Sequence, residues 1–156
     1  MLDLLDSSSP INSFMAINLN NIEPFTAVLW EERLLFECRW DGKRKFQRDL
    51  NGDKPYIWSS VTLYDETVIN KRKSWFDEWL KRNGQPDGEA IMHFHQFTGD
   101  GDQHNDLLMN RGGKVGTVSV TQLQLSSSDT LMQYLDLQSS ETVSVSLSLE
   151  KIMAGR

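Results

Sequence analysis

Between Asp65 and Gly84 the sequence sets Val68, Ile69, Trp75, Phe76, Trp79 and Leu80 at three- and four-residue steps. That is the spacing of one face of a helix, and it predicts a helix over residues 67–82. Asp65 is placed to cap it, and Glu66 puts a carboxylate in the first turn, where the helix dipole favours negative charge. Lys81 and Arg82 before Gly84 form an ordinary helix ending. A stripe with two tryptophans and a phenylalanine needs a broad apolar surface to lie on. The expected surface is a sheet, so the rest of the chain must supply strands.

It supplies them on both sides of the helix. Phe14–Leu19, Phe25–Trp30, Leu34–Trp40 and Lys45–Leu50 read as strands, with Glu31-Glu32-Arg33 and Asp41-Gly42 as turns. In the third of these, Leu34, Phe36, Cys38 and Trp40 share one face, and Leu35, Glu37 and Arg39 the other. After Pro86, Asp87 is expected to cap a short second helix carrying Ala90, Ile91, Phe94 and Phe97 on one side. Asp106–Asn110 and Lys114–Leu125 then read as a hairpin across Arg111-Gly112-Gly113, and Thr130–Leu137 as a further strand. Thr142–Leu149 alternates cleanly, with Val143, Val145, Leu147 and Leu149 on one face and serines on the other, the pattern of a half-exposed strand near a sheet edge. Strands, a helix pair, then strands again make an α+β fold with antiparallel sheets. The expected layout is a poorly ordered lead-in over 1–12, a single domain over 13–150 and a tail over 151–156.

The 156 residues suffice for one ordinary domain. A net charge of −6 argues against nucleic acid or an anionic membrane as the main partner. No apolar run reaches membrane-spanning length. Cys38 is alone, which fits a reducing compartment, so the cytoplasm is expected. The first residues carry no basic stretch and do not read as a signal peptide.

Candidate chemistry is sparse. His93, His95 and His104 fall within twelve residues, beside Asp100, Asp102 and Asp106. His95, His104 and Asp102 are the best metal candidates. On a helix, however, His93 and His95 diverge by roughly 200° and cannot share one ion. Asp100-Gly-Asp102 has the start of a calcium loop without its closing glutamate. Ser59 and Ser60 have no nucleophile elbow around them. Cys38, in an apolar strand, reads as a small hydrophobe. Arg111–Lys114 is explained by a hairpin turn, and the five tryptophans by a core.

Pro55–Tyr64 (Pro-Tyr-Ile-Trp-Ser-Ser-Val-Thr-Leu-Tyr), Lys71–Phe76, Asn105–Asn110 and Val118–Thr121, taken in order, resemble the C-terminal half of one family. These are the transport-and-Golgi-organisation proteins, named NRDE after an N-terminal Asn-Arg-Asp-Glu motif. The resemblance covers most of residues 12–138. It implies a partial N-terminal-nucleophile-hydrolase-like layered fold, and a link to haem and lipid handling or secretory organisation. Such hydrolases use a processed terminal nucleophile whose α-amine is the base. Here position 2 is Leu2, Cys38 is internal, and no Asn-Arg-Asp-Glu occurs. Ser60 stands where related hydrolases carry an oxyanion asparagine, and Gln103 where they carry a late arginine. Ser59, Ser60, Gln103 and Asn105 are thus the pocket positions that the resemblance implies. The expectation is a truncated or shortened, non-catalytic relative with a ligand-handling role, for a small molecule related to haem or lipid, or an interaction role, its partner being such a ligand or a missing N-terminal half. The alternatives are a metal-dependent hydrolase built on the histidine–aspartate cluster, and half of an N-terminal-nucleophile amidohydrolase.

Overall fold

A computed structural model describes residues 7–31, 34–60, 62–126 and 128–148. The expected turn residues Glu32 and Arg33, the strand end at Leu149, the first residues of the lead-in and the tail lie outside them. The fold is α+β with antiparallel sheets. The chain divides into two compact units, Met1–Asn70 and Lys71–Arg156.

The first unit is a meander with one short helix against it. Strands β1 (Phe25–Glu31), β2 (Leu34–Trp40) and β3 (Lys45–Leu50) pair in that order. The register sets Phe25 opposite Trp40, Ala27 opposite Cys38 and Leu29 opposite Phe36, so one face of β1–β2 is apolar. Helix α1 (Pro10–Ala16) covers that face with Ile11 and Phe14, forming a core with Leu19, Cys38 and Trp40. The expected strand from Phe14 and the lead-in reaching residue 12 are therefore corrected. Pro10 sits in the first helical turn, where its fixed φ helps and its missing N–H costs nothing, and Ile11 and Phe14 are three apart on one face. Lys45 closes the far end of the helix by donating to the carbonyls of Met15 and Ile17.

The opposite face of this sheet is open. Trp30 and Trp58 are exposed, which corrects the expectation that all tryptophans are core. Trp40 is core, and its Nε1 donates to the Ile22 carbonyl at 2.9 Å. Trp58 stacks on Tyr56, and its Nε1 meets Glu37 Oε2 at 2.7 Å, the same oxygen that Arg48 Nη2 reaches at 2.7 Å.

Helix α2 (Glu66–Asn83) begins and ends as its sequence requires. Asp65 Oδ1 accepts from Val68 N at 2.9 Å. Gly84 takes φ +64°, a conformation costly for other residues, and donates to the Leu80 carbonyl. Its aromatic stripe does not lie on a sheet as expected. Phe76 and Trp79 meet Phe94 of helix α3 (Gly88–Phe97), with Trp79 and Phe94 rings 4.7 Å apart. Rings of this size fill the space between two helices, so helix-on-helix packing satisfies the stripe. The short helix α3 is the one that reaches a sheet, through β6.

That sheet pairs β6 (Ser119–Leu125), β7 (Asp129–Asp136) and β8 (Thr142–Ser148) in order, with β8 at an edge as its alternation predicts. The hairpin before it is shorter than expected. Only β4 (Asn110–Arg111) and β5 (Val115–Gly116) pair. Residues 106–109 form a loop instead, tied at its end by Met109, whose N donates to Thr117 Oγ1 and whose carbonyl accepts from Thr117 N, and β5 and β6 are separated at 117–118.

Candidate functional site

Within the second unit a groove of about 620 Å³ runs between α3 and β6. One wall is a helical stripe, Gly88, Ile91, Met92 and His95. The other is every residue from Val120 to Ser126, with Asp129 and Leu131 of β7 beside them. Side chains alternate along a strand, so a wall of consecutive residues runs along the strand's backbone.

The hydrogen-bond phase says which backbone groups face it. Ser126 N donates to the Asp129 carbonyl at 2.8 Å, and Leu137 N to the Val118 carbonyl at 2.9 Å. Antiparallel pairs alternate, so Val120, Gln122 and Gln124 spend their backbone groups on β7. Thr121, Leu123 and Leu125 turn theirs to the opposite edge, which is the edge of the sheet.

Amides set the helix against the strand. Asp87 caps α3 by accepting from Ala90 N at 2.9 Å, which fixes where the helix starts. Gln122, buried, donates through Nε2 to the Gly88 carbonyl at 2.6 Å, and Gln124 Nε2 reaches Gln122 Oε1 at 3.3 Å. A Cβ at Gly88 would fall 1.6 Å from Gln124 Nε2, so a larger residue here would push the two glutamine amides from their present positions. On the helical wall His95 has its pKa pushed below the ordinary imidazole value, by desolvation first and by the nearby Arg72 charge second. It is neutral at neutral pH, with one donor and one acceptor nitrogen.

The other candidates fall elsewhere. Asp102 accepts from His104 N at 3.1 Å and from Asn105 Nδ2 at 2.8 Å. These bonds, that of the Asn105 side chain first, hold its carboxyl below the usual carboxylate range. Asp100 is held low chiefly by its bond to Lys71, 2.6 Å away. Asp106 accepts from the N–H groups of Asp100 and Gly101. The acidic loop is thus tied by its own backbone and a lysine. His95, His104 and Asp102 are not brought together, and no three metal-donor side chains cluster among the described residues. His93 lies against Phe97, with ring centres 4.6 Å apart. Ser59 and Ser60 belong to the first unit, with Ser60 Oγ 3.5 Å from Thr62 Oγ1, and Gln103 and Asn105 to the second. The Gln103 carbonyl accepts from Asn110 N at 2.7 Å.

Haem needs an axial ligand over an apolar slot. Cys38 is sealed in the core, and His95 opens onto a groove with glutamine amides at its base, so these residues do not fit the group. Among the described residues no helix is long and apolar enough to cross a membrane.

Sequence reasoning missed the groove. Its signals were a glycine directly after a capping aspartate, and glutamines at 122 and 124 on one strand face. Each is ordinary until the two are adjacent. No known protein family, curated protein or solved structure matches the chain.

Proposed function

We propose that this chain is a binding module that takes an extended peptide segment by strand addition along β6. The observation that carries this reading is the outward backbone of Thr121, Leu123 and Leu125, presented in a groove whose other wall is Ile91, Met92 and His95. In strand addition, main-chain hydrogen bonds supply affinity, and pockets for alternate side chains supply specificity. An incoming strand lies about 4.8 Å from β6, beneath the helix. Every second side chain turns toward Ile91 and Met92, so the ligand alternates apolar and polar residues. Neutral His95 offers a hydrogen bond to a polar group beside them. The reading belongs to the same class as the interaction role that the NRDE resemblance implies, and it requires no nucleophile from the chain.

The test is selection from a phage-displayed library of random nonapeptides, with wild type and Leu123→Pro as baits. Leu123 N–H faces the groove rather than β7, so proline there removes one docking donor and leaves the hairpin ladder intact. Enrichment of alternating apolar sequences by wild type, lost with Leu123→Pro, is the expected result. A wild-type selection that converges on no sequence overturns the reading.

A further inference from the structure

The chain holds two Asn-Gly pairs, Asn51-Gly52 and Asn83-Gly84. Asparagine is thermolabile, and such a pair is its most reactive setting. The backbone nitrogen of the following residue attacks the side-chain amide carbon, and glycine, having no Cβ, leaves that approach unhindered. All four residues are exposed, so neither the dipeptide nor its accessibility tells the two pairs apart. Their hydrogen bonds do.

We infer that Asn51 is a modification site, converted to aspartate and isoaspartate by reaction with its own backbone, and that the end of α2 protects Asn83 from the same reaction. At Asn83 both reacting groups are occupied. Gly84 N, the nucleophile, donates to the Leu80 carbonyl at 2.9 Å, and Asn83 Nδ2, the leaving group, donates to the Trp79 carbonyl at 2.8 Å. Both bonds must open before attack, which slows it by about tenfold or more. At Asn51 the pattern is reversed. Gly52 N donates to no acceptor among the described residues, and a Cβ built on Gly52 would meet nothing within 4 Å, so solvent base reaches the N–H. Asn51 Oδ1 accepts from Asp53 N at 2.9 Å. That bond turns the side chain forward along the chain. It also aims a donor at the oxygen that becomes negative on attack.

The reaction balances with water alone. Gly52 N gives its proton to solvent and bonds to Asn51 Cγ, and the Cγ–Nδ2 bond breaks to release ammonia. Water then opens the cyclic imide at either carbonyl. Opening at Cγ leaves aspartate, and opening at the main-chain carbon leaves isoaspartate, whose backbone runs through Cβ and Cγ. The lengthened backbone falls where a strap is anchored to the sheet. Asn51 N donates to Tyr56 Oη at 3.1 Å, Tyr56 stacks on Trp58, and Trp58 Nε1 donates to Glu37 of β2. Isoaspartate at 51 therefore displaces Trp58 from Glu37.

Incubation of folded and of denatured protein in mildly alkaline buffer tests this, with acid digestion and mass spectrometry of the two Asn-Gly peptides. Each folded rate is read against the denatured rate of the same site, which removes the effect of flanking sequence. Folding is expected to slow Asn83 by about tenfold or more and to leave Asn51 within about threefold of its denatured rate. Folding that slows both sites alike overturns the inference, as does a folded protein in which Asn83 converts first. The isoaspartate form, separated by ion exchange, is then compared with fresh protein by the Trp58 indole N–H resonance, assigned with Trp58→Phe. A shifted resonance is expected, and an unmoved one overturns the link between Asn51 and the strap.

Discussion

Arg72, midway along α2, donates through Nη2 to the carbonyl of Asp106 at 2.6 Å and through Nε to that of Asn105 at 3.1 Å. Only 6% of the residue is exposed. A planar guanidinium can meet two successive carbonyls at once, which an ammonium on a flexible stem cannot do with the same geometry. The loop that holds the aspartates is therefore fastened to the helix by one side chain. Arg72→Ala is expected to cost about 2–4 kcal/mol, since two partly buried carbonyls lose their donors. Arg72→Lys is expected to recover less than half of that. Urea denaturation of the three proteins checks both statements, and equal midpoints would show that the loop holds itself.

The two α2 tryptophans should differ. Trp79 stacks on Phe76 and sits 4.7 Å from Phe94, whereas Trp75 carries the Lys71 ammonium over its ring at 5.1 Å. Trp79→Ala removes the centre of an aromatic cluster and is expected to cost about 2–4 kcal/mol. Trp75→Ala loses partial burial and a cation–π contact, and is expected to cost less than Trp79→Ala by at least about 1 kcal/mol. Thermal unfolding followed by circular dichroism ranks them.

Cys38 lies at 0% exposure beneath α1. Burial pushes its thiol pKa up, and the neighbouring Glu37 charge pushes it the same way. Both disfavour the thiolate, the reactive form. In native protein the thiol is expected to resist a disulfide reagent at neutral pH and to react fully once denaturant is added. Rapid labelling of the folded protein would place α1 off the sheet.

His95 gives a pH dependence with a definite sign. Its folded pKa is lowered, so the folded state releases its proton more readily than the unfolded chain does. Above the unfolded value of about 6.5 the residue is neutral in both states and has no effect. As pH falls through that value the unfolded chain takes up a proton first, and stability declines until the folded pKa is passed. His95→Gln is expected to flatten the stability profile between about pH 6.5 and the folded pKa, as measured by denaturation across a buffer series. A profile unchanged by the substitution would show that the ring is fully solvated.

Local sequence rules sufficed wherever the deciding atoms were close in the chain. Asp65 and Asp87 cap helices because their carboxylates reach N–H groups three residues on, and both caps form. Gly84 ends α2 because it alone takes φ +64° cheaply. The apolar face of β2 and the edge position of β8 follow from two-residue alternation. Residues 14–19 show where this stops. Phe14-Met-Ala-Ile-Asn-Leu is a short apolar run that reads as a strand, but Pro10 starts a helix and the β1–β2 face rewards Ile11 and Phe14 on one side of it. The Trp79 stripe announced a buried helix without saying what would bury it, because Phe94 fills that role from fifteen residues away. The groove lay further still from local rules. It exists only because α3 comes to lie against β6, whose ladder on β7 has one hydrogen-bond phase that leaves the backbone groups of Thr121, Leu123 and Leu125 at the sheet edge, and because the Gln122 and Gln124 amides reach Gly88. Phase and close approach are properties of two segments placed side by side, and only the tertiary structure places them.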